Sequence, residues 1–501
     1  MYERLASKRT AYLSRARKCA TLTIPSLMPP AGHGSGSEFQ TPYQGVGARG
    51  VNNLASKLLL ALLPPNAPFF RLQVDDYTLE EMAGDERARA QVEEALNKIE
   101  RAVMTEIETD GLRSPVFEAL KYLITAGNCA VYLPKQGGAR VFSLDRYVVK
   151  RDPMGEVISV ILKETVAPST LDDDVREMLG EDNDEDTVDI FTKMDRVGDH
   201  YHFIQEIEGE PIPGTQAKYP IDKAPLLALR WTRIDGEDYG RGYVEEYLGD
   251  LLSLEGLSQA VLEGSAASAK VLFMVNPNGT TQIREIAKAE NGAIISGNAN
   301  EVTVLQAQKQ ADLRVAQETA ATITQRLAQA FLMNTSVQRS GERVTAEEIR
   351  YMAGELEDAL GGVYSILSQE FQLPLVSRLM DRMQKQKRIP ALPKGIVRPS
   401  IVTGLEALGR GHDLQKLQLF MQTMGQLGPE AMQTVNLSDL ISRVGTSLGI
   451  DMSGLVKTRD ELQAEQEQQQ AAMQQQQMAE MAKAATPNTV NALANAMTPQ
   501  G

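Results

Sequence analysis

The chain has 501 residues, with 42% hydrophobic and 23% charged content and a formal net charge of −15. That length exceeds one compact core, so two to four domains or one elongated, multi-part subunit are expected, and the composition excludes wholesale disorder. The acid surplus argues against simple nucleic-acid binding, which needs Lys and Arg to displace condensed counterions, but leaves open a duplex that is only a transient cargo.

Only Cys19 and Cys129 are present, too few and too far apart for a disulfide framework, so a reducing compartment fits. The longest apolar run, Leu58 to Leu63, falls far short of the roughly 20 residues that cross a bilayer. Met1 to Cys19 is basic, contains Glu3 and lacks the apolar stretch of a signal peptide. A soluble protein made in a cytoplasm, with no membrane partner, is expected.

Val51, Leu54, Ala55, Leu58, Leu59 and Leu62 form one helical stripe that Pro64-Pro65 stops. A second stripe runs through Val92, Leu96, Ile99, Val103 and Ile107, and a third helix is framed by Ser114 as N-cap, Pro115 and Gly127. From Cys129 the runs CAVYLP, ARVFSL, YVVKRD and VISVIL predict one small antiparallel sheet. The acidic stretch Asp172 to Asp186 interrupts it as a solvated loop, and TVDIFTKM followed by YHFIQEIEG resumes the hairpin pattern.

A long helix is predicted from Tyr243, its apolar positions continuing to Val261 and its end, Gly264 to Ala269, rich in small residues that suit close packing against another helix. A β-prone excursion follows, VLFMVNPNG to AIISG and EVTVL, then a returning helix with Leu313, Ala316, Ala320, Ile323, Leu327 and Phe331 on one stripe. Met333 to Val344 reads as a polar loop. Thr345 and Glu348 form a capping box ahead of a long helix, loosened at Gly361-Gly362 and kinked or stopped at Pro374, Pro390 and Pro393. The Gln-rich stretch Ala464 to Met481 leaves a terminal helix and disorder both open, and the closing residues read as a tail.

No catalytic, metal or cofactor site is predicted. Gly445-Thr-Ser447-Leu-Gly449 matches a nucleophile elbow, but no His follows it and the preceding run is helix-like. The four histidines, His33, His200, His202 and His412, have no neighbouring cysteine, and His200 and His202 read as solvated strand residues. Asp182, Asp184 and Asp186 imitate a calcium loop, but Thr187 and Lys193 stand where it needs Gly and Glu. No phosphate-binding loop is present, and Gly32, Gly34 and Gly36 read as a flexible loop, so any ATP would be hydrolysed by a partner. The rival to the reading below is a helical scaffold or adaptor of another assembly.

Four stretches carry a resemblance: TPYQGVGARGVNNLASKL at Thr41 to Leu58, DGEDYGRGYVEEYLGDL at Asp235 to Leu251, the run GERVTAEEIRYMAGELEDALGGVYSILSQEFQLPL at Gly341 to Leu375, and TGLEALGRGHDL at Thr403 to Leu414. With the order of elements, they resemble the portal, or head-to-tail connector, family of short-tailed bacteriophages across nearly the whole chain. The resemblance implies a mainly helical α+β subunit with wing, stem, clip and crown regions, assembling into a cyclic twelve-subunit ring at one capsid vertex. It maps residues 1–242 to the wing, 243–270 and 308–332 to stem helices, 271–307 to the clip, 333–344 to a tunnel loop, 345–388 to a long helix entering the crown, 389–463 to the crown and 464–501 to a tail. Implied partners are double-stranded DNA in the channel, the terminase packaging motor, tail adaptor proteins, and the major capsid, scaffolding and internal core proteins. The implied location is the virion, after assembly in the host cytoplasm. Gln338, Arg339, Ser340 and Arg343 become candidate DNA-facing residues, with intersubunit ion pairing the alternative for the two arginines. Gly264, Ala266, Ala267 and Ala269 become candidates for stem packing between subunits. An acidic lumen is expected from the net charge.

Overall fold

A computed structural model describes residues 1–34, 36–65, 68–74, 86–179, 187–268, 272–279, 281–305, 310–333, 359–392 and 397–401, with isolated positions at 420–424, 426, 440 and 473. The chain divides into two compact units, Met1–Ala407 and Leu408–Gly501, and the described elements lie almost entirely in the first. That unit mixes helices with antiparallel sheets, as the alternating periodicities predict.

Four helices build its core: α1 (Tyr2–Thr21), α2 (Val46–Leu62), α3 (Glu86–Thr109) and α4 (Arg113–Ala126). On α2 the predicted stripe is the buried face, with Val51, Leu54, Ala55, Leu58 and Leu62 shut off from solvent. Ser114 does not cap α4. Leu112 stands at the cap position with no side-chain cap bond, and its carbonyl accepts from the Val116 amide at 3.1 Å. Leu112 is fully buried, so the drive to bury an apolar side chain starts the helix ahead of the serine. Gly127 does end α4, at φ +74, where a Cβ would also lie 2.4 Å from the Arg241 backbone.

The β-rich segment forms two sheets rather than one. β2 (Asn128–Tyr132) lies between β3 (Arg140–Phe142) and β10 (Leu226–Arg230). The other sheet runs in the order β4 (Tyr147–Arg151), β5 (Val157–Val166), β6 (Val188–Val197), β7 (His200–Ile207) and β8 (Glu210–Pro211), with β9 (Ala217–Pro220) also on β7. The split follows from burial. β2 and β10 are buried almost end to end, a pattern that needs cover on both faces and so pairs them with each other.

The polar link beneath that pairing is Asn128. Its amide donates to the Gly240 carbonyl at 2.7 Å and its carbonyl accepts from the Gly240 amide at 2.7 Å. Gly240 and Gly242 allow this approach: a Cβ on either would sit within 2.7 Å of a backbone oxygen.

Part of the acidic stretch is a short helix, α5 (Asp173–Leu179), whose apolar side packs beside Val188, Ile207 and Ile212. Residues 172–186 hold nine acids and one arginine, a net −8 of the chain's −15. The acid surplus is therefore concentrated in the connection between β5 and β6.

Both cysteines are free and buried. Burial, helped by the charge of Glu245, pushes the Cys19 thiol up to about 12, and burial pushes Cys129 up as well.

Further along, a helix over 359–367 passes through Gly361-Gly362 without a break, widens into a π turn at Ser368–Gln372 and continues as α10 (Leu373–Lys385). Pro374 neither stops nor ends it. Proline removes the backbone donor that would bond back one turn, and the widened turn just before it absorbs the irregularity. Arg382 ties α10 to α3 through Glu106, at 3.0 Å, and Asp110. A two-stranded ribbon, β1 (Phe70–Val74) with β13 (Val397–Ile401), flanks this helix.

Candidate functional site: a helical hairpin and its anchor

The predicted helix from Tyr243 is broken. A short α6 (Tyr243–Glu246) is followed by α7 (Leu248–Ser268). α7 leaves the core and α9 (Gln310–Ala330) returns antiparallel to it, with Asp250 meeting Arg326 at 2.9 Å near the root and Gly264 facing Leu313 farther out. Between them β11 (Leu272–Val275) pairs with β12 (Val302–Leu305), Leu272 opposite Leu305. AIISG is not a strand; a short helix, α8 (Ile283–Lys288), occupies part of the intervening segment instead.

Burial falls steeply along the hairpin. At the root, Leu251, Leu254, Ile323, Leu327 and Phe331 are buried. Farther out, Leu262, Met274, Ile283, Ile294 and Val315 are exposed, Ile283 at 61% and Ile294 fully. Single exposed apolar residues are ordinary, whereas several along one projecting element make it a candidate interaction surface. Residues 248–330 carry eight acids and six bases, close to balance, so the acid surplus that suggested an acidic lumen is not located here.

The root is gripped by side chains from elsewhere in the sequence. Phe331 packs edge-on against Tyr243, centroids 5.6 Å apart, and Tyr247 and Trp231 complete the aromatic cluster. A Cβ on Gly50 of α2 would stand 2.6 Å from the Phe331 ring. Asn53 of α2 donates to the carbonyls of Phe331 (2.9 Å) and Leu332 (3.1 Å), and the Lys57 ammonium donates to that of Leu332 at 2.8 Å. Tyr243 donates to the Ala330 carbonyl at 2.8 Å. These bonds occupy carbonyls that a helix end leaves without internal partners.

The same α2 helix also holds the helix that enters the π turn. Tyr364 donates to the Ala61 carbonyl at 3.1 Å and Gln372 to that of Leu62 at 2.7 Å. On the π turn, Glu370 accepts two bonds from Arg230, at 2.7 and 3.0 Å, with Arg151 at 3.9 Å. Beside this helix a cleft of about 600 Å³ is lined by Gln73, Tyr364, Ser365, Gln369 and Arg398 among others, without a carboxylate, histidine or cysteine. Among the described residues, no group of three or more His, Cys, Asp or Glu is placed to hold a metal, and no helix is long and apolar enough to cross a membrane.

A family model described as the bacteriophage head to tail connecting protein matches residues 1–456. The chain belongs to this family. The connector is 44% identical over 481 residues to the portal protein of Escherichia phage T7, which covers 94% of this chain and 90% of the relative. It is 45% identical over 474 residues to that of Enterobacteria phage T3, with 92% and 88% covered. It is 33% identical over 501 residues to that of Enterobacteria phage SP6, with 98% and 95% covered. Its role is that of a structural portal protein of short-tailed phages.

Of the connector's predicted site residues, Gln338, Arg339, Ser340 and Arg343 lie outside the described residues, as do Ala269, the capping box at Thr345 and Glu348, the calcium-loop mimic at Asp182, the elbow at Ser447 and all of the Gln-rich tract but Met473. Gly264 has a use within its own chain, making room for Leu313. Ala266 and Ala267 are exposed. Sequence reasoning passed over Asn53, Lys57 and Glu370. A partial signal for the first two was present: Gly50, Asn53 and Lys57 line up at helical spacing beside the apolar stripe, a glycine and two donors on one face.

Proposed function

We propose that copies of this connector close into a ring, twelve-membered as the family resemblance implies, through which double-stranded DNA enters and leaves a capsid. The observation that carries the reading is the run of exposed apolar side chains along a hairpin whose root is fixed in the core. In a cyclic ring each copy offers two different faces to its neighbours, so α7 of one copy against α9 of the next would bury Leu262 and Val315. Ala266 and Ala267 would allow the close approach. Residues 333–344, which follow the anchored end of α9, would face the channel, with Arg339 and Arg343 touching phosphates in passing rather than reading bases. The packaging motor and tail adaptors would dock on the ring, and capsid, scaffolding and core proteins would surround it in the virion.

The test is negative-stain imaging and native mass measurement of the purified chain. Rings with a central hole are expected. Monomers and dimers under every assembly condition tried would overturn the reading.

A further inference from the structure

We propose that Asn53 and Lys57 are positioning residues at the end of α9: they hold its exit, Phe331 to Met333, at one fixed point, and through that point govern how much DNA the channel admits and retains. The proposal rests on the channel reading above.

A helix end carries partial negative charge and carbonyls without internal partners, and an ordinary exposed end hands both to water. Here the last turn is partly buried, and its carbonyls are met by two side chains of α2. Lys57 is only 7% exposed. Burying an ammonium is unfavourable unless it meets acceptors, so a role in packing alone would be filled better by leucine. The Leu332 carbonyl receives both donors, Asn53 at 3.1 Å and Lys57 at 2.8 Å.

The backbone at that point is itself specified. Leu332 has φ +53, a left-handed conformation that a γ-branched residue rarely adopts, and the Met333 amide donates to the Ala328 carbonyl at 2.7 Å. A conformation of this kind persists only where its surroundings over-determine it. Gly50, Asn53 and Lys57 lie at i, i+3 and i+7, so one face of α2 supplies the room for the Phe331 ring and both donors. The end of α9 is thus held from one face of α2.

The experiment uses full-length chain carrying Asn53→Ala with Lys57→Met, assembled into rings and then into particles. Rings are expected at the normal mass, with amide exchange over 328–333 about tenfold faster and nuclease-protected genome per particle reduced. Lys57→Arg alone, which keeps a cation, should restore most of the protected genome. If the double variant does not assemble, Lys57→Met alone carries the same measurements. Arg339→Ala with Arg343→Ala is run beside it. Normal genome content in the anchor variant while the loop variant loses it overturns the positioning role and leaves the channel reading standing. Normal content in both overturns both.

Discussion

The root and the outer part of the hairpin are built on opposite terms. At the root, Phe331 meets two aromatic rings and a glycine cut to its shape, and the neighbouring carbonyls are filled by donors from α2 and α6. Farther out, Leu262 and Val315 face solvent on helices that touch little besides each other. A chain made this way carries its stability in the core and leaves its projecting element with apolar side chains exposed.

The comparison can be broken by substitutions that act on one region only. Phe331→Ala empties a fully buried site and should destabilise the subunit by about 3–5 kcal/mol, read by chemical denaturation. A loss below about 1 kcal/mol would show that the root is not the keystone. Asn128→Ala strands the Gly240 amide and carbonyl, both bonded by Asn128 at 2.7 Å, and should cost about 2–3 kcal/mol in the same assay.

A smaller effect is expected at Glu237. Burial alone would raise its carboxyl, but bonds from Arg241 and Tyr12, with the charges of Arg241 and Arg15, outweigh it and hold the group below its ordinary value. A depressed carboxylate contributes stability that is present above the unfolded value and lost as pH falls through the folded one. The melting temperature should therefore fall on acidification below the ordinary carboxylate range, and Glu237→Gln should flatten that part of the curve. An unchanged acid limb would remove Glu237 from the account.

The least effect on folding belongs to Leu262→Ser with Val315→Ser, within about 0.5 kcal/mol. Assembly is where this pair should tell: the ring fraction by mass photometry should drop while the subunit melts as before. Full ring yield would mean that these side chains are not the contact surface.

How much of this was legible depended on what fixed each element. The stripes on α2 and α9 were read correctly because burial of one face repeats at helical spacing. The division of the strands into two sheets was not, because β2 finds β10 through burial on both faces and through Asn128, a contact between positions 128 and 240 that no local pattern encodes. Ser114 misled because a good capping residue was outcompeted by the burial of Leu112. Pro374, read as a kink or a stop, does not stop its helix, and a π turn just before it accommodates the missing donor. Asn53 and Lys57 were visible as polar residues beside a stripe, but their partners are carbonyls of Phe331 and Leu332, and backbone acceptors leave no mark on the sequence.

The two thiols have a practical consequence. The sequence contains no other cysteine, and both are buried with Cys19 pushed up to about 12, so neither presents the thiolate that maleimides attack. The native chain is in effect silent to thiol reagents. One cysteine introduced at exposed Ala266 would be the sole reactive handle on each copy, ready for a fluorophore or a bifunctional cross-linker, with no wild-type cysteine to remove first.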